Sequence, residues 1–255
     1  MRTRPATRLY IHVPFCRTKC DYCAFYSVTS ASAAQVEAYL YRLEREFAEV
    51  AGLTGELDSV FVGGGTPSIL GPGGLGRLTG LVQHHFHLLA SAEVTVEANP
   101  DMLDGPLSEA LAAAGVNRVS MGLQTFSPTL RRVLGRQVDA ACAPAAVAAL
   151  RRAGIRRLSA DLIFQIPGQS LRQWTEDLRR TLELGFTHLS TYALTLEEGT
   201  RLAARLRLGG VDEIQFEAMW QRAAAVAEAY GLRRYEISNF ACPGDECRHN
   251  LGIWY

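Results

Sequence analysis

The chain has almost no lysine. Of its 26 basic residues only Lys19 is one, and the rest are arginine. It also lacks net charge, because 26 acidic residues balance the basic ones. That removes the electrostatic case for nucleic acid or an anionic membrane surface. No run approaches the ~20 apolar residues needed to span a bilayer. The opening stretch MRTRPATRLYIHVP carries arginines but no long apolar segment of the signal-peptide kind. These absences predict a cytoplasmic protein with no transmembrane segment and no nucleic-acid partner. Six cysteines in 255 residues are too sparse for a disulfide scaffold. Clustered cysteines in a reducing compartment point instead to metal or redox chemistry. What is plentiful is apolar: 48% of the chain is hydrophobic, which argues against disorder and for one domain with a large core.

Short apolar runs alternate with helical patterns along the whole chain. Strands are expected at Leu9–Val13, Asp58–Val62, Glu93–Ala98, Arg118–Leu123, Arg157–Phe164 and His188–Ala193, with Tyr235–Ser238 as a last short one. Helical spacing places Val36, Leu40, Leu43, Phe47 and Val50 on one face. Further helices are expected at Leu107–Ala114, Pro128–Leu134, Ala140–Ala153, Leu171–Leu184 and Asp212–Tyr230, the last with Phe216, Met219, Trp220 and Ala223 along its inner stripe. The Gly71–Gly76 stretch reads as a βα loop. About six βα units predict an α/β fold, a parallel sheet closing into a partial (βα)6 TIM-like barrel. The unusual residues fall just after strands, where parallel α/β folds build their sites.

Cys16, Cys20 and Cys23 form a CxxxCxxC triplet in the loop after the first strand. Thiolates suit iron–sulfur clusters and zinc. Electron-transfer clusters use four cysteines, so three would leave one iron of a 4Fe–4S cube open to a small molecule. A zinc site is the competing reading, with His12, Cys142, Cys242 or Cys247 as fourth ligand; three unligated thiols are another. Other features have plain readings of their own. GGGTP suits a tight turn, Glu97 and Asp161 suit helix caps or arginine pairing, and Arg136 suits a solvated helix end. His84, His85 and His87 read as a surface run, Cys142 as a small buried residue, and the CPGDEC segment as a turn.

The segments YIHVPFCRTKCDYCAFYS, FVGGGTPSIL, VTVEANP, NRVSMGLQTF, ADLIFQIPGQ, HLSTYALTLEEGT and YEISNFACPGDECRHN, in this order and spacing, resemble the oxygen-independent coproporphyrinogen III oxidase-like radical S-adenosylmethionine (SAM) family. The resemblance runs from about Leu9 to Trp254. It implies that Cys16, Cys20 and Cys23 ligate a 4Fe–4S cluster whose open iron is chelated by SAM. It also implies that Tyr10, Tyr22, Gly64, Gly65, Thr66 and Glu97 lie against that SAM. Gln124, Arg136, Asp161 and Ala193 match positions that complete the cofactor site in the oxidase branch. The implied chemistry is one-electron cleavage of SAM to methionine and a 5′-deoxyadenosyl radical, fed by an electron donor such as a flavodoxin or ferredoxin.

Two branches of the family compete. One is a dehydrogenase that oxidatively decarboxylates the propionates of coproporphyrinogen III. The other is a haem chaperone that binds haem and transfers it to a haem-accepting protein. Three features favour the chaperone. Phe25 stands where the oxidase branch carries a further cysteine. Tyr10 lies close to the start of the chain. RHNLGIW resembles a haem-linked HNxxYW motif, making His249 a candidate axial haem ligand, with Ile253 in place of the motif tyrosine. Relatives continue past Tyr255 into a smaller domain. Residues 1–255 are therefore expected to be a single radical SAM core, barrel over about 9–240, with 241–255 the start of a truncated extension.

Overall fold

A computed structural model describes residues 5–206 and 213–254. Ten strands alternate with nine helices among them. β1 (Ala6–Val13) is followed by a two-residue pair, β2 (Phe15–Cys16) and β3 (Val28–Thr29), which bracket the cysteine loop. Then come β4 (Thr54–Gly64), β5 (Leu88–Ala98), β6 (Arg118–Gln124), β7 (Arg157–Phe164) and β8 (His188–Ala193). With β1 these form a parallel sheet in the order β1-β4-β5-β6-β7-β8. β10 (Asn239–Ala241) adds antiparallel to β8, and β9 (Arg233–Arg234) to β10. The architecture is the expected parallel α/β partial barrel.

The helices are α1 (Ala33–Val50), α2 (Gly71–His85), α3 (Gly105–Ala113), α4 (Pro128–Val133), α5 (Ala143–Arg152), α6 (Leu171–Glu183), α7 (Arg201–Arg205), α8 (Glu213–Ala229) and α9 (Arg248–Trp254). Local chemistry sets several of their starts. Ser32 with Gln35 and Ser170 with Gln173 form capping boxes at α1 and α6, while Asp104, Ser127 and Thr200 cap α3, α4 and α7. None of the helices over the described residues is long and apolar enough to cross a membrane.

Strand alternation positions the site. On β5 to β8 the apolar set Val94, Val96, Val119, Met121, Leu158, Ala160, Leu162 and Leu189 joins one core with the covering helices, through residues such as Leu75, Leu78, Leu111, Leu150 and Leu178. The alternate set, Thr95, Glu97, Arg118, Ser120, Ser159, Asp161, His188 and Ser190, faces the hollow of the barrel. Deep in that hollow, Arg118 and Glu93 form a fully buried ion pair at 3.0 Å, with Arg157 at 3.6 Å from the same carboxylate. Arg118 also donates to the carbonyls of Asp245 (2.8 Å) and Glu246 (3.3 Å), and Arg248 N–H to Glu93 (2.9 Å). These bonds anchor the C-terminal segment against the barrel.

Three expectations need correction. Gly71–Gly76 is not a loop but the first turns of α2, started by Pro72 and held by the burial of Leu75 and Leu78, so packing overrides glycine's weak propensity. Tyr235–Ser238 is the turn between β9 and β10 rather than a strand: Tyr235 N–H bonds Asn239 O, and Ser238 N–H bonds the Glu236 carboxylate. Cys142 is half-buried in a short 3-10 turn ahead of α5 and is not in the core. The start expected for α8, Asp212, lies outside the described residues.

Candidate functional site

One cavity of about 900 Å³ runs from the cysteine loop down into the barrel. Cys16, Cys20 and Cys23 line one end of it, together with Tyr22, Gly64, Gly65, Thr66, Glu97, Gln124, Arg136, Asp161 and Ala193. Twelve of the fourteen residues singled out from sequence thus share one wall. Tyr10 and His249 do not. The Tyr10 ring stacks on Phe61, itself in the cavity wall, with centroids 5.9 Å apart. His249 packs against both rings and is 7% exposed; its Nδ1 pairs with Ser59 Oγ at 3.1 Å.

The cysteine loop is strapped in place through Asp21. Its N–H bonds Leu134 O (2.9 Å), and its carbonyl accepts from Leu202 N–H (2.8 Å). Its carboxylate takes Arg201 (3.1 Å) and Arg205 (2.8 Å) from α7. Gly135, at φ +61°, leaves the room: a Cβ there would fall 2.3 Å from the Asp21 carboxyl carbon. Two donors face the sulfurs, Thr66 Oγ1 at 3.8 Å from Cys16 Sγ and an Arg136 guanidinium nitrogen at 3.7 Å from Cys20 Sγ.

Gly64–Thr66 pass directly under this loop. Gly65 N–H bonds Val13 O (2.8 Å) and Thr66 N–H bonds Phe15 O (2.7 Å). A Cβ on Gly65 would lie 2.6 Å from Phe15 O, and one on Gly63 would lie 2.9 Å from the Glu97 carboxylate. Glu97 Oε2 accepts from Gly64 N–H at 3.1 Å. Burial pushes the Glu97 carboxyl up to about 8, with Asp161 nearby adding to the rise. Burial also pushes Asp161 up to about 6, against hydrogen bonds from Ser190 and Ser120 and the charge of Arg136. Both carboxyls open on the cavity while protein surrounds them, which is the condition that penalises charge.

Arg136 is aimed into the cavity by Asn99 Oδ1 (2.9 Å) and Gly122 O, yet its buried Nε has no partner among the described residues. Gln124 sits at φ +64°, a strained conformation for a non-glycine, where the β6–β7 register shifts. Sequence reasoning missed Asp21, Ser120 and Ser190 as contributors, while Asn99 and Tyr192 lie in the strand-end stretches Glu97–Pro100 and Tyr192–Ala193 that it read as part of one shared site. The period-two rows Ser159-Asp161 and His188-Ser190-Tyr192 carried a signal for the strand residues; nothing local marked Asp21.

The residues suit the groups that the resemblance implies. Among the described residues no three His, Cys, Asp or Glu side chains converge as a single metal ion requires. Three soft sulfur donors lining one cavity are the donor type that an iron–sulfur cluster takes. The glycine backbone, an orphaned guanidinium Nε and two carboxyls suit a zwitterionic small molecule beside it.

The sequence model of the radical SAM superfamily matches residues 10–181. A "Heme chaperone HemW" of Mycobacterium tuberculosis is 37% identical over 253 residues, 96% of this chain and 65% of the relative. "Radical S-adenosyl methionine domain-containing protein 1, mitochondrial" of Mus musculus is 37% identical over 96% of this chain and 57% of its own. Among solved structures, coproporphyrinogen III oxidase (HemN) from Escherichia coli, described as a radical SAM enzyme, superposes with a TM-score of 0.84 at 28% identity, covering 95% of this chain and 57% of that one. The chain therefore spans rather less than two thirds of the length of these relatives.

Proposed function

This chain belongs to the radical SAM superfamily, and from that premise we propose that it is the cofactor-binding core of a haem-handling protein of the chaperone kind. The family implies a 4Fe–4S cluster and SAM. In this reading Cys16, Cys20 and Cys23 hold the cluster, and SAM lies across Gly64–Thr66, Tyr22, Glu97, Gln124, Arg136, Asp161 and Ala193. The observation that carries it is the single cavity in which the cysteine loop faces this set. When bound, the pair supplies one-electron reductive chemistry at the sulfonium.

The chain's own residues prepare that chemistry. Thr66 and Arg136 stabilise negative charge on the sulfurs. Gly63 and Gly65 let backbone approach where a side chain would collide. Ser120 and Ser190 orient Asp161. Glu97 holds a proton near neutral pH until a cation arrives to stabilise its carboxylate. Tyr10 supports the wall through Phe61 rather than forming it.

Two observations favour haem handling over porphyrinogen oxidation: the named chaperone relatives, and Phe25, which is 67% exposed where the oxidase branch carries cysteine. His249 is the proposed haem ligand through Nε2, its Nδ1 held by Ser59. Being 7% exposed, it needs α9 to shift before iron reaches it. The likeness to coproporphyrinogen III oxidase keeps decarboxylation of propionates as the second reading.

Anaerobic reconstitution tests both levels. A reduced 4Fe–4S EPR signal that changes on adding SAM is expected; zinc without such a signal overturns the cluster assignment. Saturable haem binding by absorbance is expected next. Protoporphyrinogen formation from coproporphyrinogen III without haem binding would select the oxidase reading instead.

A further inference from the structure

The proposed chemistry consumes one electron per turnover, which no side chain of this protein supplies. An external carrier must therefore reach the cysteine loop from outside. We propose that Phe25 and Tyr26, framed by the cations around that loop, are the docking face for an acidic one-electron carrier protein; this rests on the cluster reading above.

The two rings lie two and three residues past Cys23 and are 67% and 72% exposed. They are not loose. Phe25 O accepts from Lys19 Nζ (3.0 Å), Tyr26 O accepts from His12 Nε2 (3.0 Å), and Val28 N–H bonds Pro14 O (2.6 Å). The backbone is pinned on both sides while the rings project outward. An aromatic pair held this way loses little conformational freedom on meeting a partner. Aromatic anchors of this kind are enriched at interface centres.

The surrounding charges are sorted by depth. Arg17 is 63% exposed and its partner Asp101 is 23% exposed. Arg201 and Arg205 are 67% and 52% exposed, and the Asp21 they share is 14% exposed. The carboxylates lie behind and the cations stand in front. Among the described residues no carboxylate pairs with Lys19, whose ammonium meets only a carbonyl. Glu197, in the loop before α7, is an exposed carboxylate on the rim of the same cavity, so the face is positive over the cysteine loop and negative beside it. In a chain of zero net charge, such a face steers a negatively charged partner locally rather than through overall attraction. A flat tetrapyrrole is the rival occupant. The carrier is favoured because the cations stand further out than the carboxylates paired with them, and because the rings lie two and three residues past a proposed cluster ligand.

In the transfer, the carrier is oxidised by one electron and the cluster reduced by one; no bond or proton changes place. The test follows reduction of the reconstituted full chain by EPR and absorbance, with photoreduced flavodoxin as the acidic carrier or with dithionite. Tyr26→Ser and the double variant with Phe25→Ser are compared with wild type. The expected result is carrier-driven reduction slowed about ten-fold or more in the double variant, with the dithionite rate within about two-fold of wild type. Flavodoxin binding to the wild-type chain, followed by fluorescence anisotropy, weakens with added salt. An unchanged carrier rate overturns the proposal, as does equal slowing with both reductants. Lost haem affinity at an unchanged carrier rate assigns the face to a tetrapyrrole instead. If no cluster assembles, the cluster reading fails. Salt-sensitive flavodoxin binding to the apo chain, lost in the double variant, then still decides the docking face.

Discussion

Glu97→Gln separates charge from shape at the centre of the site. Glutamine keeps an oxygen for the 3.1 Å bond from Gly64 N–H but has no ionised form. In the wild type two effects oppose each other. The Gly64 bond favours the carboxylate, while burial and the neighbouring Asp161 disfavour it, and burial wins, lifting the carboxyl from 4.5 to about 8. The sign follows from proton counts. Between about 4.5 and 8 the folded chain keeps a proton that the unfolded chain has released, so stability falls as pH rises through that window. At about 1.4 kcal/mol per pKa unit the full loss is about 5 kcal/mol. Water in the cavity screens part of this, and half of it, about 2 kcal/mol, moves Tm by roughly 4–8 °C in a chain of this size. Thermal melts of the apo chain from pH 5 to 8 provide the assay. The variant and wild type are expected to melt together at pH 5, and the variant to melt higher at pH 8. Asp161 contributes the same kind of slope at lower pH in both proteins, so the difference curve isolates Glu97. A difference that stays constant across the range, or a wild type that gains stability with pH, would refute the reasoning.

Gly65→Ala places a methyl 2.6 Å from Phe15 O and 2.9 Å from Val13 O, backbone atoms with little room to yield. It is expected to cost about 1–3 kcal/mol by denaturant titration and to lower the iron retained per chain after reconstitution. Asp21→Ala removes both arginine bonds from the cysteine loop while leaving its backbone bonds. A modest stability loss of about 1–2 kcal/mol is expected, with faster release of iron to a chelator than in wild type; equal release rates would show that the two α7 arginines do not hold the loop.

How much of this was legible before the structure depends on where each residue's partners lie in the chain. The barrel was readable because hydrophobic runs of strand length recur between helical patterns, and all six parallel strands match their expected spans to within two residues at one end or both. The cysteine loop, the glycine turn and Glu97 were readable because each is a local motif at the end of a strand. Gly71–Gly76 was misjudged because glycine content is a local cost, whereas the burial of Leu75 and Leu78 that outweighs it is tertiary. Tyr10 and His249 were assigned by motif, but a motif carries no information on which way a ring turns, and both turn toward Phe61.

Asp21 was unreadable for the opposite reason: its spacing relative to the cysteines is unremarkable, and its arginines lie some 180 residues downstream on α7. Arg136 was named by the resemblance, but its aim was not readable, because it is set by Asn99 and Gly122, which lie far from it in the chain. The proposed ligand set is thus written locally, while its positioning is written across the barrel. That difference has a consequence for substitutions. Changes within CxxxCxxC or GGGTP should abolish a function outright, whereas changes at Asp21, Asn99 or Ser120 should leave the groups present but loosely held, since a site lets binding energy act only when its supporting bonds fix the geometry.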